Sequence, residues 1–275
     1  MHMRTRSRNR LSATLDSIRD RVGRSGDRLA ADMPYLSYHD ICLWQEDINC
    51  LENDWLTDNN IAFWEEYLER ETLSHTSASN SILLLRPSMT FLLKCESNIL
   101  NILSALPQTT NITHIFLPIN DNSNPNLPEG GSHWSLLVVS LKDRVAFHYD
   151  SLGGANNRHA REVCKKVGVW VYRDENSLQF YDLGEDTPQQ TNTYDCGVHV
   201  CLNMRHLLVK RLLMAGEGGE VNMSLKGKSW NAKAGREEMG KIIRGLRRTA
   251  ERSQSPAERE RSRGRDGRTP PPRIE

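Results

Sequence analysis

The sequence predicts an α+β domain in which helices pack on a central, mainly antiparallel sheet. Three observations carry that expectation. Strand-like apolar segments separated by turn residues cluster mid-chain, at 113–119, 133–141, 145–150 and 168–172. Helical apolar patterns flank them: Ile61, Phe63, Trp64, Tyr67 and Leu68 on one side, and the run that follows Cys196 on the other. Across 275 residues, 37% hydrophobic content suffices for one sizeable core, yet both ends are too polar and Arg-rich to join it.

Taken in order, residues 1–32 read as a basic flexible arm, and order is expected to begin near "YLSYHDICLWQEDINCL". In "NDWLTDNNIAFWEEYLERE", Asn53 or Asp58 is the expected cap of the first long helix. Pro87, whose missing N–H is harmless in a first turn, is expected to start another helix. The strand candidates follow, and then a helix from Cys196 to about Met214 with Asp195 as its N-cap. "NAKAGREEMGKIIRGLRR" offers a last helix that docks through Met239, Ile242, Ile243 and Leu246. Residues 33–249 thus form the expected domain, and 250–275 a disordered Arg-rich tail.

Charge is segregated along the chain. Residues 1–30 carry eight Arg against three Asp, and 215–275 carry fifteen Lys or Arg against nine acids. With a formal net charge of +1, the body between them holds about −10. An acidic body suits a basic partner. Solvated tails are the simpler account of the Arg-rich ends, so nucleic acid is not an expected partner. Six cysteines with no CxxC pair and no paired Cys/His spacing argue against a zinc site and against a disulfide framework. No apolar run has membrane-span length and no secretory h-region follows the basic start, so the expected location is cytoplasm or nucleus, with no membrane contact.

The stretch "QQTNTYDCGVHVCLNM", residues 189–204, places Cys196 at the start of a helix. Unpaired N–H groups and the helix dipole there favour a thiolate over a thiol. A base must then lie within reach. If the strands at 133–141 and 145–150 join in a hairpin turning at Lys142 and Asp143, Leu141 faces Arg144, His133 faces Leu152, and Asp150 faces Ser135. His133 and Asp150 then share one face as diagonal neighbours, at a spacing of about 7–8 Å that a carboxylate and an imidazole can bridge. That geometry suits a base and the acid that orients it. Each residue also has a plain alternative: His133 as a strand opener, Asp150 as a turn former before Ser and Gly, Cys196 as a packed thiol, and Gln190 as a loop amide.

"GGSHWSLLVV", "FHYDSL" and "QQTNTYDCGVHV", together with "DWLTDNNIAFWEEYLE" and "LPINDNSN", resemble the sentrin-specific, Ulp-type cysteine proteases over about residues 35–214, and most of all their deneddylase branch. The resemblance implies a papain-like cysteine protease fold of the Ulp type. It also implies a peptidase that cleaves after the C-terminal Gly-Gly of a ubiquitin-like modifier of the neddylation type. His133 is then the base, Asp150 its orienting partner, Cys196 the nucleophile and Gln190 an oxyanion donor. Trp134 is implied as the cover of a narrow channel for the Gly-Gly, and Trp55 and Asp58 as modifier contacts. Strand alternation, however, puts Trp134 opposite His133, as an ordinary core residue would be. The loop 120–131 has the glycine and asparagine content of a mobile segment, one able to close on bound modifier. No metal or organic cofactor is implied; the expected partners are the modifier and its conjugates such as cullins, engaged by a monomer. A protease for the sumoylation modifier, a modifier-binding protein without activity, and an acetyltransferase on a similar scaffold are the rival readings.

Overall fold

The computed structural model describes residues 33–127, 130–215, 221–253 and 271–275. A hairpin of β1 (Pro34–Tyr38) and β2 (Ile41–Trp44) leads into a short helix α1 (Gln45–Asn49) and the long helix α2 (Asp58–Glu71). Strand β3 (Ile82–Leu84) and helix α3 (Pro87–Cys95) precede β4 (His114–Asn120), β5 (Trp134–Ser140) and β6 (Val145–Tyr149). Helix α4 (Asn157–Tyr172), strand β7 (Gln179–Asp182), helix α5 (Cys196–Arg205) with its π-helical continuation His206–Leu212, helix α6 (Ala232–Ser253) and strand β8 (Arg273–Ile274) complete the order.

The central sheet runs β3-β4-β5-β6-β7, antiparallel at its middle and parallel at both edge pairs. Alternation along β5 sorts the molecule into two layers. Trp134, Leu136 and Val138 join a core with α2, α5, α6 and the β1–β2 hairpin. Leu137 and Val139 face the other way, onto α3 and α4. Pro87 opens α3 at its first turn, as expected. Met239 and Ile243 of α6 are buried, and Ile242 and Leu246 pack beside them, so the last helix docks through the expected face.

The β5–β6 register is the expected one, running from Leu136 opposite Tyr149 to Ser140 opposite Val145. The ladder ends at that last pair, and the turn keeps its register with Arg144 in the left-handed region at φ 55°.

Three expectations need correction. Residues 168–172 are not a strand but the end of α4. Their β-branched and aromatic content is overridden because Ala160, Val163, Cys164, Val167 and Trp170 recur at helical spacing and bury together. Gly168 is required there because a Cβ would stand 2.6 Å from the Asp174 carbonyl oxygen. The cap of α2 is Thr57, neither Asn53 nor Asp58: its side chain accepts from the Asn60 N–H, and Asp58 is the next residue, in the first turn where an acid favours the dipole. Both ends of the expected disordered tail are structured. Helix α6 continues to Ser253, and β8 pairs with β1 in parallel, with Ser37 N–H donating to Pro272 O (2.9 Å) and His39 N–H to Ile274 O (2.7 Å). Residues 1–32 and 254–270 lie outside the described residues.

Candidate active site

Cys196 is the first residue of α5 and fully buried. Gly197 beside it lets the helix start approach the segment before α2, since a Cβ there would stand 2.9 Å from Leu56 Cβ. Asp195 occupies the N-cap position, but its side chain does not cap the helix. Its carboxylate instead accepts from Arg236 Nε (2.8 Å) and Asn192 Nδ2 (2.7 Å). The first-turn N–H groups are thereby left without a side-chain acceptor at the cap.

His133 lies one residue before β5, at the open end of the β5–β6 hairpin. Its N–H donates to Asp121 Oδ1 (3.1 Å), and its carbonyl accepts from Asp121 N (3.1 Å) and Asn156 Nδ2 (3.3 Å). The imidazole Nε2 stands 2.7 Å from Asp150 Oδ1, and Cys196 is close enough to act on the same ring. With Nε2 engaged by the carboxylate, Nδ1 is the nitrogen left for sulfur. Because His133 and Asp150 both sit past the Leu136–Tyr149 pair, at the open end of the ladder, the ring comes near a helix that packs on the opposite face of the sheet.

Asp150 is buried and well served. Oδ1 also accepts from Leu152 N (2.8 Å), and Oδ2 from Asn156 N (2.8 Å). Burial raises its carboxyl, but the hydrogen bond and charge of His133 and these two N–H donors more than offset that and leave it below the ordinary carboxylate range. For His133 burial acts the other way, lowering the imidazole. The hydrogen bonds and charges of Asp150 and Cys196 reverse this and push it up to about 9. The shift favours the charged ring, the form that pairs with a thiolate.

Gln190 is joined to the same turn. Its Oε1 accepts from the Ser151 hydroxyl (2.7 Å), its backbone N–H donates to Ser151 O (2.9 Å), and Nε2 donates to Asn192 O (2.7 Å). One of the two amide hydrogens stays uncommitted in this arrangement. Gln189 adds a second tie, from Nε2 to Asp150 O (3.1 Å) and from Gly153 N to Oε1 (2.9 Å).

The other candidates are placed less uniformly. Trp134 is buried in the core cluster that also holds Cys196, as alternation requires. Trp55 is half-buried, and its indole N–H donates to Thr193 O (2.8 Å), tying the stretch before α2 to the loop that carries the nucleophile. Asp58 is exposed on the first turn of α2. The loop after β4 is anchored at its base, where Lys94 Nζ donates to the carbonyls of Asn120 and Asn122, and Asn120, Asn122 and Asn124 each accept a backbone N–H two residues on. Sequence reasoning missed Asn156, Ser151, Asn192 and Arg236. Nothing in their local sequence marks them, since each acts through partners set by the fold.

A helix-borne sulfur, an imidazole and a buried carboxylate in series, on a sheet between two helical layers, define a cysteine peptidase of papain-like design. Residues 54–213 match the Ulp1 protease family, C-terminal catalytic domain, and the chain belongs to that family. It is 37% identical over 195 residues to NEDD8-specific protease 2 of Schizosaccharomyces pombe, covering 70% of this chain and 45% of that protein. It is likewise 37% identical to human sentrin-specific protease 8, covering 64% of this chain and 82% of that one. The chain thus spans less than half of the fission yeast relatives' length (45% and 42%) and most of the human one. Among solved structures, the SUMO protease Ulp1 with its catalytic cysteine oxidised to a sulfinic acid superposes with a TM-score of 0.57 at 21% identity, covering 79% of this chain and 90% of that one. The yeast Ulp1 protease domain in complex with Smt3 gives 0.56 at 19%, covering 83% and 92%. Both are likenesses of fold.

Proposed function

We propose that the protein is a deneddylating isopeptidase, cleaving after the C-terminal Gly-Gly of NEDD8 in its precursor and in conjugates such as cullins. The observation that carries the chemistry is the His133 imidazole held at 2.7 Å by the buried Asp150, with Cys196 at the start of α5 acting on the same ring. The modifier preference is supported by the names of relatives at 37% identity in fission yeast and human, against 30% for the ubiquitin-like-specific protease 1 of Saccharomyces cerevisiae.

In the proposed reaction the Cys196 thiolate attacks the carbonyl carbon of the terminal glycine. The tetrahedral oxygen accepts from the Cys196 N–H and the uncommitted hydrogen of Gln190 Nε2; loss of one such donor costs about 100- to 1000-fold in rate. Imidazolium His133 protonates the departing amine, the C–N bond breaks, and a thioester remains. Neutral His133 then takes a proton from water as it attacks the thioester, and the modifier leaves as a free carboxylate. Asp150 holds the ring orientation and balances its charge in both halves. Trp134, Trp55 and Asp58 are proposed to line the path of the modifier's tail.

The test is a set of three substrates with the same fluorogenic C-terminal amide, on NEDD8, SUMO and ubiquitin. The expected result is a kcat/KM for NEDD8 at least about 100-fold above the other two, a discrimination of roughly 3 kcal/mol. SUMO cleaved as well as NEDD8 would overturn the modifier assignment and leave the cysteine chemistry standing.

A further inference from the structure

The nucleophile loop is held from a helix that lies beyond the matched family region of 54–213. Arg236, on the first turns of α6, is 5% exposed, and its guanidinium makes three hydrogen bonds. Nε donates to Asp195 Oδ1 (2.8 Å), Nη2 to Tyr194 O (3.0 Å) and Nη1 to Cys50 O (2.8 Å). Two of the three therefore land on the two residues before Cys196, and the cation also lies 5.3 Å from the centre of the Tyr194 ring. The planar fork fixes direction as well as distance, which a lysine's point charge does not.

From Asp195 the contacts continue to the amide implicated in oxyanion binding. Asp195 Oδ2 accepts from Asn192 Nδ2 (2.7 Å). Asn192 Oδ1 in turn accepts from the N–H groups of Tyr194 (3.1 Å) and Asp195 (2.9 Å), and the Asn192 carbonyl accepts from Gln190 Nε2 (2.7 Å). One hydrogen-bonded series thus leads from α6 to Gln190 and passes the first residue of α5. A buried guanidinium–carboxylate pair adds little net stability over apolar packing. Its directional geometry is what the loop uses.

We propose that Arg236 is a positioning residue of the peptidase, acting through Asp195 and Asn192 to hold the Gln190 amide and the Cys196 N–H at the spacing that the tetrahedral oxygen requires. This rests on the reading of Cys196 and Gln190 as nucleophile and oxyanion donor. Arg236 is buried and does not meet the modifier, so its removal acts on the chemical step. A displacement of about 1 Å in such a group is enough for a rate loss on the order of 100-fold.

The experiment measures kcat and KM for NEDD8 carrying a C-terminal fluorogenic amide, with Arg236→Lys and Asp195→Asn, each alone and combined with Gln190→Ala. Arg236→Lys keeps the stem and the charge; Asp195→Asn changes the same contact from the other side at constant size and decides by the same criteria if the lysine variant does not fold. The expected result is a kcat lower by about 10- to 100-fold with KM within about twofold. In the Gln190→Ala background the further loss should shrink by at least about threefold, because one of the two groups being positioned is gone. A kcat within about twofold of the parent, a loss confined to KM, or losses that multiply in full with a Gln190→Ala chain that is itself slow would overturn the role of Arg236 alone. Gln190→Ala with unchanged kcat would instead remove the oxyanion reading on which the proposal stands.

Discussion

The two halves of the proposed catalytic site are built by different means. Around His133 and Asp150 most partners, from Asp121 through Asn156, belong to the residue after β4, the β5–β6 hairpin or the turn that follows it, with Gln189 on the Asp150 carbonyl coming from farther along the chain. Around Cys196 the partners come from far apart in the chain: Trp55 on Thr193, Leu56 against Gly197, Ser151 on Gln190, and Arg236 on Asp195 and Tyr194. The acid–base half rests on ladder geometry and is set once the hairpin forms. The nucleophile half depends on α2 and α6 both being docked. Substitutions remote from the chemistry should therefore disturb the second half more than the first.

The largest effect tests the nucleophile half. Cys196→Ser should abolish cleavage while leaving the Kd for NEDD8 within about twofold, since it removes the attacking sulfur and little contact area. Next comes the acid–base half, through Asp150→Asn, which should lower kcat by about 100- to 10,000-fold by losing ring orientation and countercharge. The same variant sharpens the pH dependence. His133 is raised in the folded chain, so its protonated form is the favoured one. Its contribution is complete below the ordinary 6.5 and is lost as pH rises through about 9. The alkaline limb of kcat/KM, which reports the free enzyme, should fall near that value in the parent chain and move to lower pH in Asp150→Asn. A limb that stays in place would assign the proton to another group.

Smaller effects concern the surface. Asp58→Lys should lower kcat/KM for intact NEDD8 by about fivefold at low salt, less at high salt, and leave a short Gly-Gly peptide amide nearly unaffected. Equal losses on both substrates would make Asp58 structural. The smallest effect belongs to β8, whose two main-chain bonds and Ile274 contact hold the chain end to β1. Ile274→Asp should lower Tm by about 2–4 °C and leave kcat within about twofold. A larger fall in kcat would link that edge of the molecule to the site.

What the sequence revealed follows the same division. His133 and Asp150 could be placed on one face because two strands joined by a turn as short as Lys142-Asp143 have few registers, and a side-chain period of two translates register directly into facing. The thiol at a helix start was legible from the Asp-Cys-Gly step and the apolar run after it. The Asp195–Arg236 pair was not, because residues 41 apart with a helix docking between them leave no periodic trace. Residues 168–172 misled because a five-residue β-branched window hides the sixteen-residue helical pattern that contains it. The same short-range view assigned the end of the chain to a tail, although residues 272–274 find the free edge of β1.

The central claim is that Cys196, and no other of the six cysteines, forms the acyl-enzyme. The direct measurement is to react the full chain with NEDD8 bearing a C-terminal electrophile and map the adduct by peptide mass. The expected product is a single thioether at Cys196, formed at a rate that Asp150→Asn slows. An adduct on Cys201 or Cys164, or equal labelling of the Cys196→Ser chain, would contradict the account.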